Sequence, residues 1–464
     1  MPSIEAAPAV ARRLSRPPVA QGQGNLGIVA QAEPLYSLQP VRSFTRGSAP
    51  MLFLQRARPV TDHCRLCHST NLRPVIDLGL MPIAHRLRHS RNEQEERYPF
   101  EVLTCGDCGL PQIVKPIDPE ILYRQFNYNF SSWKPEPHQA DELDTIAKFS
   151  KHQSVFEIGC NDGLFMDKLR ERGTKIMVGV EPNPVSGKIA RERGIKVYAD
   201  MLSPDMAHDA VAQSGKFDLV ISRQVLEHIV DFENFFACVK IALKEDGLLF
   251  IDVPDFAPGS AVGDLSVLWE EHVSYFTEPT LLALLARHGF EAVSVKTYNF
   301  SGGSLAVAAR RAKGAVTPPP APSGVGEKFG QRAREYGARL RPILAKARAN
   351  GAEIAIYGAG CRACTFTNAH ELADLVDLSV DDQKERQGLF LPGTGIPIRA
   401  PEELAGKSGP LVCLLAVNEE NEAKVSSRLR ESVKRPLQIV SIFAPSDIWS
   451  ELDRLEAAAG SRHG

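Results

Sequence analysis

No stretch of about 18 consecutive apolar residues occurs in the 464-residue sequence, which leaves no candidate membrane-spanning helix. Nor is there an excess of charge of either sign. The 54 Lys and Arg stand against 56 Asp and Glu, a net of -2, so no overall field draws in nucleic acid or an anionic membrane surface. A secretory signal needs an apolar run near the start, and the first residues lack one, so the expectation is a cytoplasmic, reducing setting. In that setting nine cysteines, four of them in two C-x-x-C pairs, point to metal before disulfides.

What is present divides into several parts, since this length implies about three domains. The 43% apolar and 24% charged residues are those of a globular protein. Residues 1–58 carry Pro, Ala, Gln, Gly and Arg without periodicity, and read as a disordered extension or an Arg-rich leader. A cysteine-bearing module is expected over 59–125. Residues 126–312 alternate strands and helices, which predicts an α/β, doubly wound sheet. A Pro-rich linker spans 313–326, a charged helix begins near Glu327, a second α/β unit runs to about 452, and 453–464 is a frayed tail.

Glu157-Ile158-Gly159-Cys160-Asn161-Asp162-Gly163 follows an apolar strand and opens a helix. Its glycines allow a sharp turn and a close backbone approach to a ligand, and the helix start offers unpaired N–H groups. The next strand ends in Glu181, a carboxylate placed to accept two ribose hydroxyls. Asp200 follows the third strand, where an adenine ring can be met. Phe217-Asp218-Leu219-Val220 then leads through Gln224 to Val225-Leu226-Glu227-His228. These elements in this order resemble class I S-adenosylmethionine methyltransferases. The resemblance implies that cofactor, with Glu157, Gly159, Asn161 and Gly163 in its loop, Glu181 at the ribose, Asp200 at the adenine and Gln224 nearby. His228 is either a site residue or a satisfied helix cap.

Cys64-x-x-Cys67 and Cys105-x-x-Cys108 supply four thiolates, the usual set for a closed tetrahedral zinc site, structural rather than catalytic. His63, His68 and His85 read as surface residues. The surrounding Asp77-Leu78-Gly79-Leu80-Met81-Pro82 and Cys105-Gly106-Asp107-Cys108-Gly109-Leu110-Pro111-Gln112 resemble the zinc module of sugar C-methyltransferases, which methylate keto-deoxysugars on nucleotide carriers. That family joins a zinc module, a methyltransferase domain and a C-terminal Rossmann-like domain.

In that family an E-H-x-S-Y-F segment supplies the catalytic histidine. Here Glu270-Glu271-His272-Val273-Ser274-Tyr275-Phe276 implies His272 as the base, with Glu271 beside it. Carbon becomes a nucleophile only when a proton next to a carbonyl is removed, and a neutral imidazole suits that task. Tyr128, in Asn127-Tyr128-Asn129-Phe130-Ser131-Ser132, resembles a family tyrosine and is a candidate donor to the developing oxyanion. Trp269 stands where family members often carry Tyr; it cannot transfer a phenolic proton, though it can stack on a sugar face. Phe300-Ser301-Gly302-Gly303-Ser304 resembles a family substrate loop or is a plain hairpin turn.

Gly358-Ala359-Gly360-Cys361-Arg362-Ala363, with Asp381-Asp382 downstream, fits a dinucleotide fingerprint. By resemblance it instead belongs to a C-terminal domain that helps hold a nucleotide-sugar without a redox cofactor. Cys361-x-x-Cys364 reads as inert. The sequence thus supports transfer of a methyl group to a carbon next to a ketone of a nucleotide-linked keto-deoxysugar. Its partner is a small molecule, not nucleic acid or membrane, and the chain is a monomer or dimer. The competing readings are an O- or N-methyltransferase of a sugar or small metabolite, an NAD-linked oxidoreductase working through the C-terminal domain, and a nonenzymatic nucleic-acid binder using the zinc module.

Overall fold

The computed structural model describes residues 61–123, 136–406 and 408–460. Three sheets organise it. The first is antiparallel: β1 (Leu72–Pro82), β2 (Arg97–Cys105) and β3 (Pro111–Ile113), in that order. The second comprises β4 (Ser154–Ile158), β5 (Ile176–Val180), β6 (Lys196–Tyr198), β7 (Phe217–Arg223), β8 (Leu243–Pro254), β9 (Phe290–Tyr298) and β10 (Ser304–Arg311). The third is parallel, built from β11 (Glu353–Tyr357), β12 (Leu378–Val380), β13 (Ile398–Arg399), β14 (Leu411–Leu415) and β15 (Leu437–Ser441).

The order in the second sheet is β6-β5-β4-β7-β8-β10-β9, with β10 antiparallel to both neighbours. This is the class I methyltransferase sheet. Every residue of β4, Ser-Val-Phe-Glu-Ile, is buried, as expected of a central strand covered by helices on both faces. The strand order reverses between β4 and β7. At that switch point the loops at the carboxyl ends of the strands diverge and leave a crevice, where such sheets bind ligands.

The zinc module does not stand apart from this sheet. Its β3 runs beside the segment after His272: the Ile113 N–H donates to the Val273 carbonyl at 3.0 Å and the Tyr275 N–H to the Pro111 carbonyl at 3.0 Å. Arg65, between the first two cysteines, reaches the Val273 carbonyl at 3.0 Å and that of Ile113 at 2.6 Å. On the other side the helix Val325–Ala349 crosses β1 so closely that a Cβ on Gly330 would lie 2.2 Å from the Val75 carbonyl oxygen. The Arg88 and Phe390 backbones pair, joining the module to the C-terminal unit.

The 313–326 segment is not a free spacer, since Pro322 packs on Gly109. The chain does not fray after 452 either: a helix runs from Ile448 to Gly460 with Leu452, Leu455 and Ala459 buried. Apolar positions spaced in helical steps there find the core that the sequence reading did not assign them. Among the described residues no helix is long and apolar enough to cross a membrane.

Candidate active site

One cavity of about 930 Å³ lies at the switch point, lined by the loop after β4, by Glu181, by the His272 segment and by Cys361 and Arg362 of the C-terminal unit. The loop is held in shape by its glycines. Gly159 has φ +72°, and a Cβ there would lie 2.3 Å from a Val225 methyl. Gly163 has φ +80° and abuts Ile195 and Ala190. Both positions therefore exclude a side chain by conformation and by space. Asn161 also takes a positive φ, 48°. Its N–H donates to one oxygen of Glu181 at 2.9 Å, and the Asn183 N–H donates to the other at 2.7 Å. The Glu181 carboxylate is thus fixed at the cavity wall by two backbone donors, and burial raises its pKa above the usual carboxylate range.

Beneath the loop sits an acidic cluster. Burial pushes Glu157 up to about 8, and one of its oxygens has no hydrogen-bond partner among the described residues. Arg223 bonds Glu136 at 2.6 Å and lies 3.0 Å from Glu142 and 3.7 Å from Asp252. Burial opposes its charge, but Glu142, Glu136 and Asp252 outweigh burial and hold it protonated. Gln224, with φ +52°, bonds the Asp252 carboxylate at 3.1 Å. One guanidinium therefore sits among three carboxyls, of which burial pushes Glu142 up to about 8 and raises Asp252. Asp200 is exposed at the rim, where its carboxylate accepts the Met201 N–H at 2.8 Å.

The histidines gather at the other end. His272 is buried, its ring 4.6 Å from that of Trp269 and 5.0 Å from that of His228. Burial, helped by His228, holds its pKa well below the ordinary 6.5, so the ring is neutral near pH 7. His228 is likewise lowered by burial. It ends the short helical turn Leu226–His228, and its Nδ1 lies 2.9 Å from the Glu271 carbonyl oxygen. It also lines the cavity. Tyr123 packs edge-on against it at 5.5 Å.

Glu271 does not orient His272. Its carboxylate pairs with His85 at 2.7 Å. Burial alone would raise Glu271, yet the His85 charge and hydrogen bond bring it down to about 2. Burial alone would lower His85, yet Glu271 holds it well above 6.5. His85 is therefore no surface residue: its side chain is 15% exposed, because the hairpin folds the Ala84–His85 backbone onto Glu270. The Ala84 N–H donates to the Glu270 carboxylate at 2.7 Å. The Trp269 indole donates to the Ser266 carbonyl at 3.1 Å, and its ring, tilted 35° to that of His272, also lines the cavity. Gly302 and Gly303, both at positive φ, turn between β9 and β10 against Arg362 and Asp255. Tyr128 lies outside the described residues.

At the module's tip the four thiols meet. Cys64 and Cys108 sulfurs are 3.4 Å apart, Cys67 and Cys105 3.5 Å, and all four lie within 4.8 Å of one another. Sulfurs at ~2.3 Å from a tetrahedral zinc would be about 3.8 Å apart, so the donor set fits that ion. Of these groups the loop, the acid after β5, the thiols and His272 carry signals in the sequence. His85 and Tyr123 take their places from the packing of one domain on another, and Arg223 from the acidic residues that surround the end of β7.

Three family models match the chain. They are "Putative zinc binding domain" over residues 64–123, "Methyltransferase domain" over 134–295 and "C-methyltransferase C-terminal domain" over 324–440. The C-methyltransferase NovU of Streptomyces niveus is 28% identical over 382 residues, covering 78% of this chain and 90% of that protein. A ubiquinone biosynthesis O-methyltransferase of Methylobacterium sp. (strain 4-46) is 29% identical over 101 residues, 21% of this chain and 39% of that one. Among solved structures, magnesium protoporphyrin IX methyltransferase from Synechocystis PCC 6803 aligns over 42% of this chain and 100% of its own, with 16% identity and a TM-score of 0.32.

Proposed function

From the premise that this chain is an S-adenosylmethionine-dependent methyltransferase carrying a zinc-binding, a methyltransferase and a C-methyltransferase C-terminal domain, we propose that it methylates a carbon next to the ketone of a nucleotide-linked keto-deoxysugar. The observation that carries this reading is His272. It is a neutral imidazole, buried in the same cavity as the cofactor loop, with no ring hydrogen bond among the described residues. A carbon next to a ketone becomes a nucleophile only when its proton is removed, and His272 supplies the base for that step.

When bound, the cofactor supplies an electrophilic methyl group. The chain does the rest. Glu181 receives the ribose hydroxyls, and the Asn161–Gly163 turn receives the methionyl end. His272 would take the proton from the carbon beside the ketone, leaving an enolate with its charge on the carbonyl oxygen; as the carbonyl re-forms, the enolate carbon would bond the methyl group, the carbon–sulfur pair staying on the cofactor's sulfur. The low pKa keeps His272 in its base form but makes it a weaker base, a cost its fixed position must offset. Trp269 and His228 hold its ring. Four thiolates leave a zinc ion no open position, so the metal is structural. It braces the knuckle whose Arg65 and β3 fix Val273, one residue past the base. Thiols that must stay reduced to hold zinc suit a cytoplasmic setting.

The test is proton exchange. With S-adenosylhomocysteine bound, the protein in deuterium oxide should wash deuterium into the carbon beside the ketone of a nucleotide-linked keto-deoxysugar. His272→Asn should slow this by about 10²–10⁴, the usual worth of a general base. Methyl transfer without any exchange would instead favour an O- or N-methyltransferase.

A further inference from the structure

Glu227 and His228 lie on the short helical turn after β7, and the chain around His272 is tied to that turn from both sides. The Val273 N–H donates to the Glu227 carbonyl at 2.8 Å, and the His228 Nδ1 donates to the Glu271 carbonyl at 2.9 Å. One donor atom from each of Glu227, His228 and His272 lies within 4.8 Å of the other two, and all three residues line the cavity. A carbonyl only accepts, so Nδ1 of His228 carries the proton, and Nε2 of the neutral ring carries the lone pair. That Nε2 is 3.8 Å from a Glu227 carboxylate oxygen, too far for a hydrogen bond. Glu227 is 2% exposed, and neither of its carboxylate oxygens has a hydrogen-bond partner among the described residues.

A buried carboxylate is stable only when a proton or a cation offsets its charge, and here two imidazoles gather around one. Two imidazoles with one carboxylate are the donor set of a three-ligand zinc site that keeps an open position. A histidine that donates its other N–H to a backbone carbonyl, as His228 does, has the orientation usual for a metal ligand. Donors at ~2.1 Å from a tetrahedral ion stand about 3.4 Å apart, so side-chain rotations of roughly 1 Å would close the set. We propose that Glu227, His228 and His272 bind one divalent ion of the zinc class, separate from the ion that the four cysteines fit. Its remaining position faces the cavity. An ion held there takes the His272 lone pair as its bond, so it inhibits the proton removal proposed for that residue. This consequence, unlike the site itself, rests on His272 being the base.

The experiment counts ions. Full-length protein with its cysteine module loaded with zinc is dialysed against buffered free Zn2+, raised through the micromolar range, and bound zinc is measured by elemental mass spectrometry. Wild type should take up a second equivalent. Glu227→Gln and His228→Gln should each weaken that equivalent at least ~100-fold, the upper end of what losing even an outer partner of a metal ligand costs. Co2+ added to the zinc-loaded wild type should give visible ligand-field bands without near-ultraviolet thiolate-to-metal absorption. This separates the site from the cysteines and needs no variant. The proton exchange described above should fall in step with the second ion. No second equivalent in wild type, a second equivalent at wild-type affinity in either variant, or a thiolate band from cobalt would overturn the site. Exchange undiminished by a bound second ion would overturn its inhibitory role. The ion count needs no substrate, so its failure leaves the methyltransferase reading standing.

Discussion

Removing the Glu181 carboxylate should cost the cofactor most of its grip without costing the protein its fold. Glu181 ends β5 and is 7% exposed. An ionised carboxylate offers about four acceptor positions. Two are taken by the Asn161 and Asn183 N–H groups, which leaves two for the hydroxyls of a ribose. Hydrogen bonds to a charged group contribute about 1.5–3 kcal/mol each. The variant also frees the Asn161 N–H that holds the loop. Even a net loss of ~2 kcal/mol is about 30-fold in affinity. Stability should move the other way or not at all. The folded pKa of Glu181 is raised by burial, so its ionised form opposes folding. That penalty grows as pH rises from the unfolded carboxylate value through the folded one, and at pH 7 the alanine variant escapes it. Calorimetric titration with S-adenosylhomocysteine should therefore show Glu181→Ala binding at least ~30-fold more weakly, with a Tm of the empty protein no lower than that of wild type. Affinity within about twofold of wild type would refute the assignment of Glu181. A drop in affinity accompanied by a fallen Tm would refute the argument that the site, not the fold, is what was lost.

Two further predictions concern the metal and the base. Cys108→Ser should abolish stoichiometric zinc, measured on the purified protein. Zinc sites of this kind carry roughly 10 kcal/mol or more of folding free energy, so the knuckle should open and methyl transfer fall as Val273 loses Arg65. Full activity in a folded, metal-free protein would contradict that coupling. The low-pH limb of kcat/KM should fall well below 6.5, because His272 stays neutral until the pH drops through its lowered pKa. Glu271→Gln should move the limb lower still, since the Glu271 charge is what raises His272. A limb at or above 6.5 would contradict this.

How much of this was legible in the sequence follows from what each residue depends on. Gly159 and Gly163 are local: a strand, a turn and a helix start dictate them wherever the chain goes. Glu181 follows from the βαβ geometry, and the four cysteines from their spacing. The resemblance gave His272 and the three-part order, and the family models agree on the parts. What failed was every judgement needing the domains brought together. The sequence sets Glu271 beside His272, but its carboxylate pairs with His85, 186 positions earlier. His85 carries no local signal for this pairing, since its partner belongs to a different domain. Trp269 lines the cavity, with its indole N–H bonded to the Ser266 carbonyl. The apolar spacing of Leu452, Leu455 and Ala459 was visible and went unused.

The most direct test of the central claim is where the methyl group lands. A nucleotide-linked keto-deoxysugar, incubated with the protein and cofactor carrying a carbon-13 methyl group, is examined by two-dimensional NMR. The account predicts a labelled methyl bonded to the carbon beside the ketone, with that carbon's hydrogen gone, and no such product from His272→Asn. A labelled methyl on oxygen or nitrogen, or a carbon-methylated product formed equally well by His272→Asn, would contradict it.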